Sequence, residues 1–304
     1  MKNKSILILG VSSFVGSNLA EFFKKDYKVF GAYFKNKVEI PGVFTFPCDI
    51  SKSEQIQTCF QVSKPDIVIY CAGVPSVWGC HEDSKEAVKL NANALYFVTE
   101  NCLKHGSKII YISSSLVFSG EKELYGEIDI PDFSTELGKS KSSGEYFLET
   151  SAQDYLIFRC CQLYGRAIVW QRPNFFQQLE KQISINCDDN LSTGFLDINY
   201  LGMVISLSIE SNLRNLLLHV SSTNLFTKFQ FANQYAKLFQ IDPSFIKKTR
   251  LDLPMLPDKS FKKDQKLMFN LSTKNLENYL NITFPTIEES LEITYKRFNG
   301  RNFE

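Results

Sequence analysis

The chain has 304 residues, 44% of them apolar and 22% charged, ordinary for a folded protein and enough for one large domain or two closely associated ones. Its 34 Lys and Arg nearly balance 33 Asp and Glu, so the net charge of +1 creates no global field towards nucleic acid or an acidic membrane. The longest apolar runs, such as 6–9, 67–72 and 216–218, fall far short of the roughly 20 residues that span a bilayer, so no transmembrane helix is expected.

In chain order, Met1-Lys2-Asn3-Lys4 opens in the manner of a signal peptide. The apolar run behind it stops at Gly10 with no small-residue cleavage pattern, so it reads instead as a first strand over 5–9. Further strands are expected at 28–33, 43–46, 66–71, 107–112 and 155–159. Segments with apolar residues three and four apart predict helices at 14–23, 54–62, 84–103 and 136–150. Nearly continuous apolar strands alternating with helices imply an α/β fold, a doubly wound parallel sheet covered on both faces. Beyond about residue 165 the pattern loosens into aromatic, Asn-rich sequence, with one more strand at 216–220 and a helix at 229–239. No repeat, charge block or linker interrupts it, which predicts intimate packing of the two halves.

Eight cysteines lie in apolar or helical contexts without Cys-x-x-Cys spacing, as expected of reduced, buried thiols in a cytoplasmic protein. His81, His105 and His219 are too dispersed for a local metal motif, and no metal is expected.

The most informative stretch is Gly10-Val11-Ser12-Ser13-Phe14-Val15-Gly16, a small-residue turn between a strand and a helix. A tight turn there lets backbone N–H groups approach a pyrophosphate, and the helix N-terminus favours its charge. Ser13 stands where a middle glycine would usually sit, and a merely glycine-punctuated turn would read the same way. Gly138-Lys139-Ser140 hints at a nucleoside-triphosphate loop, but Phe133 occupies the place of its first glycine and no strand immediately precedes it.

Further segments resemble the extended short-chain dehydrogenase/reductase family, most nearly its dTDP-dehydrorhamnose reductase group, over almost the whole chain. Cys48-Asp49-Ile50-Ser51 is similar to the family's acidic turn after the third strand, and Cys71-Ala72-Gly73 to its small-residue turn beside the cofactor. Asn91 falls at the family's helix Asn. Residues 112–120 resemble its Ser-Thr-Asp-Tyr-Val-Phe-x-Gly segment, and Leu137-Gly138-Lys139-Ser140-Lys141-Ser142-Ser143-Gly144-Glu145 its Tyr-Gly-x-Ser/Thr-Lys-x-x-Gly-Glu helix. Arg159, His219-Val220-Ser221-Ser222 and Leu271-Ser272-Thr273-Lys274 match weaker landmarks.

The resemblance implies an NAD(P)-binding Rossmann domain over 1–165 with a returning segment near 195–225, and a smaller substrate-binding α/β region over 166–304. It implies a cofactor site at Gly10, Ser12, Ser13, Phe14, Val15, Gly16, Asp49, Ile50, Cys71, Ala72, Gly73, Asn91 and Lys141. Lys141 would hold the cofactor ribose, and Ser114, or Ser115 if the turn is displaced, would contact a substrate oxygen. The expected substrate is a nucleotide-linked sugar, met in part by Asn174-Phe175-Phe176 and the Asp188-Asp189-Asn190 loop. Read alone, Lys141 also fits a solvated helix lysine, and Ser114 a serine that satisfies the backbone at a strand end.

One position departs from the family. Its catalytic tyrosine, the general acid towards a carbonyl, precedes the lysine by four residues, where this chain has Leu137. Tyr125, Tyr146, His81 or a water are the candidate replacement donors, and each of the three side chains also fits a structural or solvated role. Ser115-Leu116 offers no acid–base pair of the kind that nucleotide-sugar dehydratases carry. Lys35 and Lys37, after the second strand, favour the 2′-phosphate of NADP(H) over NAD(H), although both also fit ordinary turn lysines. Two readings follow: a keto-sugar reductase with an altered proton donor, or a non-catalytic scaffold of the same fold. The second has a parallel in the reductase-like regulatory subunit of methionine adenosyltransferase, and a homodimer or a protein partner would go with it.

Overall fold

Ser5–Leu9 forms β1, and its alternating side chains feed two cores, because successive residues of a strand point to opposite faces. Ile6 and Ile8 join one cluster, Leu7 and Leu9 the other, and none of the four is exposed to solvent. Each such side chain contributes about 1.5–3 kcal/mol by leaving water. The computed structural model describes residues 4–168, 175–257, 259 and 265–299.

From β1 the chain passes through α1 (Phe14–Phe23), β2 (Lys28–Tyr33), β3 (Phe44–Pro47), α2 (Ser53–Ser63) and β4 (Ile67–Tyr70). It continues through α3 (Val77–Glu82), α4 (Ser84–Val88), α5 (Ala94–His105), β5 (Lys108–Ser114), α6 (Glu136–Ser151) and β6 (Tyr155–Cys160). Short strands β7 (Gln162–Tyr164), β8 (Ile185–Asp188), β9 (Leu191–Thr193) and β10 (Phe195–Asp197) follow, with α7 (Phe175–Glu180) before β8. Next, α8 (Ile198–Glu210) and β11 (Leu216–Val220) return to the main sheet. The remainder comprises β12 (Phe226–Thr227), α9 (Lys228–Phe239), β13 (Ile246–Thr249), β14 (Leu267–Phe269), α10 (Lys274–Leu280) and α11 (Ile287–Asn299).

The seven-stranded sheet has the order β11-β6-β5-β4-β1-β2-β3 and is parallel throughout. Strand order reverses between β1 and β4, which opens a crevice beyond their carboxyl ends. The doubly wound architecture expected from the sequence is the one observed. On one face α1 packs against α8, so closely that a Cβ on Gly202 would lie 2.7 Å from the Phe22 ring. The opposite core joins side chains of α2, α5 and α6 to the sheet. A third core, built on Tyr164, Phe195, Phe231, Tyr235 and Leu291, holds the small sheets β7/β10 and β8/β13 to α9 and α11.

Two differences from the sequence reading have clear physical causes. The helix expected over 84–103 is interrupted by one π turn at Lys89–Asn93 between α4 and α5. There the hydroxyls of Tyr70 and Tyr111 donate to the carbonyls of Leu90 and Asn91 at 2.5 and 2.8 Å, which offers those carbonyls partners outside the helix. The α8 helix was not anticipated: its buried Ile198, Leu201, Ile205, Ser208 and Ile209 recur three and four apart, but Tyr200, Met203 and Leu207 on the outer side blur the polar face. Among the described residues no helix is long and apolar enough to cross a membrane.

Candidate active site

The turn after β1 is tied down by its own backbone. The Gly10 and Val11 N–H groups both donate to the Ala32 carbonyl at the end of β2, at 2.9 and 3.0 Å. Gly10 has φ +87°, and a Cβ there would come within 2.6 Å of the Ala72 nitrogen; a Cβ on Gly16 would lie 2.3 Å from the Gly10 oxygen. Ser13 is the N-cap of α1, accepting the Gly16 N–H through Oγ at 2.9 Å, which explains a serine where the sequence pattern leaves room for glycine. The N–H groups of Ser12, Phe14 and Val15 have no acceptor among the described residues. This is the donor arrangement that a helix N-terminus offers to an anion.

Across the crevice Cys71, Ala72 and Gly73 leave β4. Gly73 has φ +133°, and a Cβ on it would collide with Asn91 Oδ1 at 2.0 Å. Asn91 is fully buried at the π turn: Oδ1 accepts the Val74 N–H at 3.0 Å, and Nδ2 donates to Ser140 Oγ at 2.9 Å and to the Val74 carbonyl at 3.2 Å. Asn91 thus staples the turn after β4 to α6. At the sheet edge Asp49 is held by the backbone and hydroxyl of Ser51 at 3.0 and 2.7 Å, with Ile50 buried beside it. Lys35 is exposed, its ammonium 5.4 Å from the Phe34 ring, while Lys37 pairs with Glu39 at 2.8 Å.

Two adjoining cavities, of about 200 and 610 Å³, occupy the crevice. Cys71, Ala72, Gly73, Asn91 and Lys141 line the smaller one; Ser114, Leu137 and Phe14 line both. Ser114, at the end of β5, accepts the Leu116 N–H through Oγ at 3.2 Å, which leaves its O–H free to donate. Lys141 donates to the Ile112 carbonyl at 2.9 Å and stands 4.7 Å from the centre of the Tyr111 ring. Burial brings its pKa down to about 8 against the attraction of nearby Cys71 and Glu145. Ser115 is buried and faces the larger cavity.

A buried ion pair holds these groups in place. Arg159 grips Glu145 with Nε at 3.1 Å and Nη2 at 2.8 Å, and Ser113 Oγ donates to the same carboxylate at 2.5 Å. Glu145 lies one turn beyond Lys141, and Ser113 precedes Ser114, so one charged knot aligns both candidate residues.

Leu137 is buried with Cys80 and Ala87 and packed on Val74, Val77 and Leu116, so a hydrocarbon side chain fills this part of the wall. None of the three replacement side chains lines either cavity. Tyr125 is stacked on Phe118 with centroids 4.1 Å apart, and its hydroxyl accepts the Gly120 and Lys122 N–H groups, each at 3.0 Å. Tyr146 and His81 are exposed. In the second half, Phe175 and Asp188 line the larger cavity, Asn174 lies outside the described residues, and the sequence reading missed Thr193, Lys228 and Phe231 on the same wall. No periodicity marks these three; β9 and α9 bring them together only in the fold.

Known proteins share this architecture. Over 98% of this chain and all of the other, it superposes on dTDP-4-dehydrorhamnose reductase from Bacillus anthracis, solved in complex with NADP, with a TM-score of 0.79 and 22% identity. UDP-glucose 4-epimerase from Thermotoga maritima, solved with UDP-glucose, covers 97% of this chain at 17% identity and TM-score 0.79, with 99% of its own length matched. In sequence, dTDP-4-dehydrorhamnose reductase of Aggregatibacter actinomycetemcomitans is 27% identical over 161 residues, 53% of this chain and 52% of that protein. Methionine adenosyltransferase 2 subunit beta of Danio rerio is 26% identical over 165 residues, 53% of this chain and 49% of that one. The chain thus spans about half the length of the curated relatives it matches. The family model for the RmlD substrate binding domain matches residues 3–299, and the chain belongs to that family.

Proposed function

We propose that the chain is an NADP(H)-dependent reductase acting on a keto group of a nucleotide-linked sugar, with NAD(H) the weaker coenzyme. The observation that carries this reading is that the free O–H of Ser114 and the ammonium of Lys141 face one crevice, beside a turn with three uncommitted N–H groups. Those amides, at Ser12, Phe14 and Val15, suit a pyrophosphate; Lys141 suits ribose hydroxyls, and exposed Lys35 a 2′-phosphate. The nicotinamide, when bound, supplies the hydride.

This chain's residues do the rest. Ser114 donates a hydrogen bond to the keto oxygen, its hydroxyl oriented by the Leu116 N–H. With Leu137 contributing no proton, Lys141 is the titratable cavity group suited to donate one. Its lowered pKa, about 8, leaves it protonated at neutral pH and a stronger acid than an ordinary amine. After it protonates the reduced oxygen, the neutral amine is recharged from solvent.

The apolar setting of Leu137 favours a second reading, a non-catalytic subunit that uses the fold to serve a protein partner or to self-associate, in keeping with the similarity to methionine adenosyltransferase 2 subunit beta. Calorimetric titration with NADPH and NADH, followed by NADPH oxidation in the presence of dTDP-4-dehydrorhamnose, separates the two. The reductase reading expects tighter NADPH binding and measurable oxidation. Binding without oxidation supports the subunit, and binding of neither coenzyme sinks the reductase.

A further inference from the structure

The larger cavity has a polar wall that the chemistry at Ser114 and Lys141 does not use. Asp188 ends β8 and Thr193 ends β9, each more than nine-tenths buried, and both line this cavity. Asp188 Oδ2 and Thr193 Oγ1 have no hydrogen-bond partner among the described residues. Their neighbours are all committed. Asp189 is taken by Thr227 at 3.1 Å and by Lys248, and Asn190 exchanges two hydrogen bonds with the Leu251 backbone at 2.8 and 2.9 Å. Lys228 attracts the Asp188 charge, but its ammonium lies 5.1 Å over the Phe175 ring, and no ion pair joins it to Asp188.

A buried carboxylate oxygen and a buried hydroxyl, both unsatisfied, are costly unless a ligand completes them. We propose that Asp188 and Thr193 form a specificity-determining subsite that grips ring hydroxyls of the ligand; this rests on the reading of the cavity as a nucleotide-sugar pocket. The carboxylate accepts, and the threonine hydroxyl accepts or donates, so the pair matches neighbouring hydroxyls of a sugar ring and rejects a phosphate at that spot. Burial raises the pKa of Asp188, in keeping with a carboxyl that waits for a donor. The two sources of such hydroxyls are the hexose and the nucleotide ribose.

The test measures binding of UDP-glucose and of UDP by calorimetry to wild type, Asp188→Asn and Thr193→Val, with thermal unfolding of each ligand-free protein. Asparagine keeps the oxygen that accepts from the Leu191 N–H and removes the charge. The expected result is that each variant binds UDP-glucose about 10- to 100-fold more weakly, while ligand-free Asp188→Asn melts higher than wild type. An equal loss for UDP assigns the hydroxyls to the ribose; a loss confined to UDP-glucose assigns them to the hexose. Undiminished binding of both ligands by both variants overturns the subsite and leaves the reductase reading standing. Wild type that binds neither ligand overturns the nucleotide-sugar reading, and the subsite, which rests on that reading, falls with it.

Discussion

Leu137 and Lys141 stand one helical turn apart on the same face of α6, and both line the smaller cavity beside the turn after β4. A hydrocarbon side chain and an ammonium therefore share one wall of the crevice, the leucine one turn before the lysine. Lys141 is the lysine on that cavity wall, four residues beyond Leu137.

If Lys141 is the donor, turnover falls as pH rises through about 8, because the neutral amine has no proton to give. Lys141→Arg keeps a cation but one too basic to donate. It is expected to lower kcat by about 100-fold or more at neutral pH while NADPH affinity falls far less. Steady-state pH profiles of both proteins check this.

Ser114→Ala removes the hydrogen bond to the keto oxygen and nothing that the fold needs except one acceptor for the Leu116 N–H. The expected effect is a loss of about 100- to 1,000-fold in kcat with unchanged coenzyme binding, read by kinetics beside calorimetry.

Breaking the buried knot costs stability. Arg159→Met leaves the Glu145 carboxylate buried with only Ser113 as a hydrogen-bond partner, so denaturant unfolding is expected to show a loss of about 3–5 kcal/mol. The double variant with Glu145→Gln is expected to recover part of it, because no lone charge then remains inside.

His219 sets an acid-side limit on stability. It is fully buried, edge-on to Phe118 at 5.9 Å, and neither ring nitrogen has a hydrogen-bond partner among the described residues. Burial, with Arg159 nearby, drives its pKa from 6.5 down to about 3. Between those values the unfolded chain binds the proton and the folded one does not, so stability present above pH 6.5 is lost on acidification towards 3. The contribution approaches about 1.4 kcal/mol per pH unit. Urea unfolding across that range is expected to show a shallower pH dependence for His219→Leu.

The parallel half of the fold was legible because each of its strands is one short apolar run and its helices keep one polar face; the reading of 14–23 as a helix coincides with α1. Ser114, Leu137 and Lys141 were legible as a constellation because the segments around β5 and α6 resemble family motifs, and the structure places all three at one crevice. The opposite wall was not. Asp188 and Thr193 come from short strands in an aromatic stretch, and their significance lies in what fails to touch them, which no spacing rule encodes. Likewise, a helical pattern at 84–103 gives no warning that two tyrosines from neighbouring strands will capture its carbonyls and widen one turn.

The glycines of the first turn bear on how such proteins drift. Gly10 is fixed by the Ala72 backbone and Gly16 by the Gly10 oxygen, contacts that exist with or without a dinucleotide. A descendant released from coenzyme binding would still be purged of substitutions at both positions, since any side chain there would push the turn off the sheet. Selection on folding alone is enough to preserve the signature, whereas the lysine and serine across the crevice would be free to decay. The glycines therefore report on the scaffold, and a test of the proposed chemistry has to be made at residues 114, 137 and 141.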